Sequence, residues 1–273
     1  MASASAALDP FTKIESAEGS TQPAYPLDFW MLAGFAVAIA AIVAGLVFTR
    51  VKLIYFLQPT GGFIVLGGTL GVTLITAPQR SLLHAARRVF GLLRPETVSR
   101  PALAEEMLGY AKSARKAGIL SLEPLIPRAS HPFLRDVLTL AIDVKNRAEF
   151  QATIEGKIRL RERQGEADAR ALEIAGGFAP TIGVLGTVVG LIDGLQQFSE
   201  PSTIAIGIGT AFVSTIYGLG LANLLLLPAA CRLRVSVAEQ FELEEMILEG
   251  GLALFDLPHP ALLRGRLSGY LGP

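Results

Sequence analysis

The chain has 273 residues, of which 51% are hydrophobic and 18% charged, with a mean hydropathy of +0.47. That is too apolar for an ordinary water-soluble domain and describes an integral membrane protein. Its 24 basic and 24 acidic residues cancel, so nothing global points to nucleic acid, and a lone cysteine, Cys231, excludes an internal disulfide.

Residues 1–27, rich in Ala, Ser and acidic side chains, have the composition of a disordered tail. No basic segment precedes the first apolar run, so no cleaved signal peptide is read. A first transmembrane hairpin is expected over 28–78. One span runs from Phe29 to Phe48 with Trp30 at its edge, the other from about Ile54 to Thr76 with Gly67, Gly68 and Gly71 as a packing face. Arg50 and Lys52 fall in the short connection, and Pro78 and Arg80 bound the far end.

Residues 79–172 are polar and hold 17 of the 24 Lys and Arg residues, which places them in the cytoplasm by the positive-inside rule. Four spans then put both termini there. The N-terminal tail offers only Lys13 against the outward Arg50 and Lys52, a local conflict that the bulk of the loop outweighs. Apolar residues at helical intervals predict helices over Ala102–Lys116, ending near Gly118, over Phe133–Glu149 after Pro132, and over Ile154–Leu172, charge-laced and leading into the third span. Arg115 and Glu123 flank the Gly118 break. By residue type alone they read as solvated surface.

A second hairpin is expected over 173–230, with spans Ile174–Leu195 and Ile204–Leu227 around a polar turn at 198–202. The first span carries Gly183, Gly186, Gly190 and Gly194. The second carries Gly207, Ala211, Ser214, Thr215, Gly218 and Ala222. Such small-residue faces let helix backbones approach closely in a bilayer. Pro180 and Pro228 sit where basic residues resume, toward one membrane face, and each is expected to remove a backbone hydrogen bond and bend its helix. Thr187 and Thr215 lie 13 and 15 residues from position 200, hence at nearly the same depth. A single such Thr usually back-bonds its own helix; two at matched depth beside glycine faces suggest a polar spot on a pore or partner surface. No Asp, Glu, His, Lys or Arg lies at the middle of either span, so if ions pass here another chain supplies the titrating group. Asp193, near the outer end, reaches the interface.

Residues 231–273 form a cytoplasmic helical tail, in which Val235–Leu254 has an acidic face of Glu239, Glu242, Glu244, Glu245 and Glu249. No strand-period stretch occurs. The fold class read here is all-α, with four transmembrane helices and a helical cytoplasmic domain. His84, His131 and His259 are scattered, with no Cys or carboxylate at metal-ligand spacing. The glycines of 183–190 lie inside a span with no Lys-Ser/Thr following, so they are no phosphate loop. No nucleophilic Ser, His and Asp set is visible. Neither an enzyme nor a metal or cofactor site is read.

The segment Ala179-Pro180-Thr181-Ile182-Gly183-Val184-Leu185-Gly186-Thr187-Val188-Val189-Gly190-Leu191 resembles the third-span motif of flagellar motor stator A subunits, the MotA/PomA family. Gln58-Pro59 with Ile64 to Gly71 resembles its second span, Ala114 to Glu123 its cytoplasmic charged motif, and Ile247 to Gly251 its tail helix. The likeness runs from about Trp30 to Tyr270. It implies an ion-driven rotary unit in the bacterial inner membrane, with A subunits, expected as a pentamer, around B subunits whose single span brings the ion-carrying Asp. By the same resemblance Pro180 and Pro228 match two torque-coupling prolines, Arg115 and Glu123 a charged pair that engages the rotor switch-complex protein, and Thr187 and Thr215 two hydroxyls typical of sodium-driven members. The sequence departs from the family in its long N-terminal tail, in Asp193, and in Leu257-Pro258-His259-Pro260, where Gly-x-Asn-Pro is usual. The alternatives are an ExbB/TolQ-type energiser, expected to have one span before the loop, a member working outside flagella, and a membrane scaffold with no ion coupling.

Overall fold

The computed structural model describes residues 29–48, 56–92, 98–196 and 201–271. The expected disordered tail, the Arg50–Lys52 connection and most of the turn at 198–202 lie outside these residues. Among the described residues all regular structure is helical: α1 (Phe29–Phe48), α2 (Pro59–Thr76), α3 (Gln79–Leu92), α4 (Arg100–Ala117), a 3₁₀ run (Ile119–Arg128), α5 (Pro132–Asp143), α6 (Arg147–Gln196), α7 (Pro201–Gly220), a π segment (Leu221–Leu226), α8 (Leu227–Asp256) and α9 (Pro260–Ser268). Helix α2, the apolar part of α6 and the run through α7 are long and apolar enough to cross a bilayer, and α1, 20 residues of almost unbroken apolar sequence, is the fourth. The protein is a multi-pass membrane protein.

The helix ends follow local chemistry. Pro stands in the first turn of α2, α4, α5 and α9, where its missing N–H is no loss. Ser99 caps α4 through its hydroxyl, and Gly118 ends it at φ 84, a backbone region that side chains disfavour. His131 and His259 each accept a backbone N–H, from Phe133 and Ala261, through Nδ1. Two of the three histidines thus serve as helix caps. The helix expected over Phe133–Glu149 divides instead into α5 and α6, because Asn146 Oδ1 accepts from Ala148 N–H and starts a new helix. Conversely, the charge-laced helix and the third span merge into one helix of 50 residues, about 75 Å long at 1.5 Å per residue.

By contact the chain divides into two units. The loop unit comprises 96–159 with 240–273. Its core of Leu103, Leu108, Leu122, Phe133, Leu134, Leu138, Phe150, Ile154, Met246 and Ile247 is almost wholly buried, and the Phe150 and Phe255 rings stand 4.9 Å apart. Ion pairs ring it: Arg100–Glu242 at 3.0 Å, Arg147–Asp256 at 3.0 Å, Arg264–Glu105 at 2.8 Å and Arg266–Glu249 at 3.0 Å. The acidic face of the tail helix is therefore partly spoken for, and Glu244 is buried with Gln240 donating to it at 3.3 Å.

The membrane unit comprises 27–95 with 160–239. Its second cluster, Ala85, Ala169, Leu172, Ala230, Leu233 and Val237, joins α3 to the stretches of α6 and α8 flanking their apolar spans. In the run from α7 to α8 the Leu227 N–H reaches back five residues to Ala222 O. This wide turn directly precedes Pro228, whose ring in an even α-helix would collide with the carbonyl four residues back.

Candidate functional site

The second hairpin closes on backbone. A Cβ placed on Gly218 would lie 2.6 Å from Ala179 O, on Gly190 2.8 Å from Ala211 N, on Gly207 2.5 Å from Gly194 Cα, and on Gly183 3.0 Å from Ser214 O. On Gly186 it would lie 2.8 Å from the side chain of Ser214. Lipid tails are as apolar as Leu, so the two helices gain by van der Waals contact between backbones, which any side chain here would prevent.

That approach brings Thr187 and Thr215 together, their Oγ1 atoms 2.5 Å apart. Thr187 Oγ1 also lies 3.1 Å from Gly183 O on its own helix and 3.0 Å from Ala211 O on the other. Back-bonding and cross-helix contact thus coexist. Three further oxygens stand within 3.1 Å of one hydroxyl, in a stretch where Val184, Leu185, Val188, Val189 and Leu191 are otherwise exposed and aliphatic. Hard cations are satisfied by such oxygen groupings.

The prolines also fall near one another. Pro180 lies inside α6 and frees the carbonyl of Gly176, and a Cβ on Gly176 would lie 2.7 Å from Leu227 Cδ2, beside Pro228. Arg115 and Glu123 are both exposed, one at the end of α4 and one in the 3₁₀ run, with exposed Leu120 between them; neither makes an ion pair among the described residues. They belong to the loop unit, whereas the threonines and prolines belong to the membrane unit.

Two polar features were not singled out from the sequence. The first ties α2 to α7: Tyr217 OH donates to Phe56 O and accepts from Gln58 N–H at 3.3 Å, while Thr210 Oγ1 donates to Gln58 Oε1 at 3.2 Å. Gly61 lets Ser214 close in, its Cβ position lying 2.6 Å from Ser214 Oγ. A Tyr and a Gln in apolar segments were the available signal. The second is Asp168, a wholly buried carboxylate that accepts from Gln164 Nε2 at 3.1 Å and faces Arg88 Nε at 3.8 Å, its Oδ2 lacking a hydrogen bond. Burial pushes its pKa up, partly offset by Gln164 and by the charges of Arg88 and His84. One Asp within a charge-laced helix carried no distinguishing sequence signal.

The MotA/TolQ/ExbB proton channel family model matches residues 126–246, a stretch that contains the hairpin, both prolines and both threonines. The chain is similar to that family over this stretch. Over more of its length it is 27% identical, across 249 residues, to motility protein A of Bacillus subtilis, covering 90% of this chain and 91% of that protein. Among solved structures it superposes on the flagellar MotAB stator complex of Bacillus subtilis with a TM-score of 0.79 and 27% identity, over 88% of this chain and 95% of that one. A chain of C. jejuni MotAB shares the fold, with a TM-score of 0.83 at 22% identity over 90% and 96%.

Proposed function

We propose that the chain is the ion-conducting stator subunit of a bacterial flagellar motor, coupling cation flow to rotation. The observation that carries this is the Thr187–Thr215 contact at a glycine-lined helix crossing, within spans whose middle holds no Asp, Glu, His, Lys or Arg. Such a site offers oxygen ligands and no proton carrier, so it needs a partner carboxylate. The similarity to a MotAB stator complex over nearly the whole chain supports a B subunit as that partner, with a single span carrying an Asp, and supports a homo-oligomer, in our reading a pentamer. Two spans before the loop favour the stator over an ExbB/TolQ-type energiser.

In this reading both termini and the loop unit are cytoplasmic, following the 17 basic residues of 79–172. Arg115 and Glu123, exposed and without an ion pair among the described residues, engage the rotor switch-complex protein by charge complementarity. Pro180 and Pro228 shape the conformational step, and Gly183, Gly186, Gly190 and Gly218 hold the hairpin closed.

Sodium is the proposed ion, because removing one hydroxyl ligand hurts a hard cation more than it hurts a proton carried by a carboxylate. The test is rotation speed against external sodium at fixed pH and membrane potential, for the wild type and Thr187→Ala. Speed rising with sodium in the wild type and weakly responsive in the variant is expected. Speed indifferent to sodium but collapsing with a protonophore means a proton-driven motor and returns Thr187 to helix packing.

A further inference from the structure

Helix α3 begins at Gln79, directly after α2 ends at Thr76 and Pro78 blocks its continuation. It carries Arg80, Arg87 and Arg88 and no acidic residue. Its inner face is fixed: Ala85 is buried with Ala169, Leu172, Ala230 and Leu233, and Arg88 turns inward to the Asp168 carboxylate. Gly165 makes room for that arginine, since a Cβ there would lie 2.7 Å from Arg88 Nη1. With the inner face so pinned, Leu83, Arg87 and Phe90 point outward together, four and three residues apart. Leu83 is 64% and Phe90 73% exposed, and Arg87 is exposed with no ion pair among the described residues.

Two large apolar side chains with a free guanidinium between them are poorly placed in water. They suit a headgroup layer, where the apolar pair enters the acyl boundary and the long arginine side chain reaches phosphate. We propose that the outer face of α3 is a docking surface for anionic phospholipid headgroups, with Leu83 and Phe90 as anchors and Arg87 as the phosphate ligand. The occupant is chosen by two features: the helix lies where a membrane span ends, and its charge is wholly positive against the negative leaflet surface. The arrangement also divides labour between adjacent arginines. Arg88 is committed to Asp168 and holds the helix; Arg87 is left for the lipid. The inference rests on the membrane reading of α2, whichever ion is coupled and whatever the rotor contact.

The test uses the full-length purified protein in two measurements. In native mass spectrometry after delipidation, phosphatidylglycerol is expected to be retained over phosphatidylcholine. Arg87→Gln should lower that preference roughly fivefold and Arg87→Glu further, while Arg87→Lys keeps most of it. In vesicles, Phe90→Trp in a Trp30→Phe background should be quenched by brominated phosphatidylglycerol more than by brominated phosphatidylcholine. Equal retention of the two lipids by the wild type overturns the proposal. So does an Arg87→Glu variant that changes the oligomer's mass with lipid retention intact, because the face is then a subunit contact, and so does an unquenched Trp at 90.

Discussion

The membrane unit and the loop unit are both helical, yet the glycines at the second hairpin's crossing do different work from those in the loop core. In the second hairpin a Cβ on Gly218, Gly190 or Gly207 would strike backbone atoms of the facing helix at 2.5 to 2.8 Å. In the loop unit, a Cβ on Gly250 would instead meet the Met107 side chain, and one on Gly251 would lie 2.6 Å from Val137 Cγ1. The reason lies in the solvent. Water drives large apolar side chains such as Phe133 and Phe150 into one core, and a glycine there only trims a gap. Lipid supplies no such drive, so the hairpin depends on how near two backbones come, and that same nearness holds the two threonine hydroxyls in contact.

The largest effect that breaks this comparison is predicted at Gly218. Gly218→Ala sets a methyl against Ala179 O and Gly183 Cα, which cannot retreat unless the helices part, so folded yield should collapse and Thr187–Thr215 contact should be lost. Gly251→Ala meets Val137 and the Phe150 ring edge, which can shift, and should cost about 1–3 kcal/mol. Yields and melting midpoints of the two purified variants decide it; a Gly218→Ala protein no worse than Gly251→Ala removes the distinction.

A middle-sized effect concerns Asp168, a buried charge in the membrane unit, where the loop unit keeps most of its ion pairs at the rim. Its folded pKa lies above its unfolded one, so the folded state binds the proton more tightly. The group therefore favours folding below the raised value and opposes it as pH rises through it. Asp168→Asn should flatten the decline of the melting midpoint from acid to neutral pH. An unchanged slope would assign that dependence to other groups.

The smallest effect sharpens the contrast from the other side, at a place in the loop unit that lacks a glycine its geometry invites. Leu257 ends α8 at φ 43, its N–H on Ala253 O at 2.9 Å, and is 39% exposed. Leu257→Gly should relieve the left-handed strain and stabilise by a few tenths to about 1 kcal/mol. A lower melting midpoint would mean that the leucine side chain contributes more than its conformation costs.

The same site shows what the sequence could and could not tell. Leu257-Pro258-His259-Pro260 departs from Gly-x-Asn-Pro in letters, but Leu257 takes the left-handed position and His259 Nδ1 makes a cap. Helix existence, the small-residue faces and the matched depth of the threonines were legible because each follows from spacing along one chain. The division at Asn146 was not, since apolar periodicity continues across it while a single side-chain bond decides. The Tyr217 clamp on Phe56 and the burial of Asp168 join residues far apart in sequence, and spacing carries no information about them.

The wide turn at Leu221–Leu226 sets the phase of the helix on either side of it. Gly218, Ala222, Ala230 and Leu233 are all buried, and the first three take 12 residues where three even turns would use about 11. The added residue is absorbed at the turn, where Leu227 bonds to Ala222. It lets the small-residue stripe facing α6 and the Ala230–Leu233–Val237 stripe facing Ala85 share one azimuth, though neither stripe's own repeat would carry it to the other. The turn thus acts as a vernier between the stripe that faces α6 and the stripe that packs on Ala85.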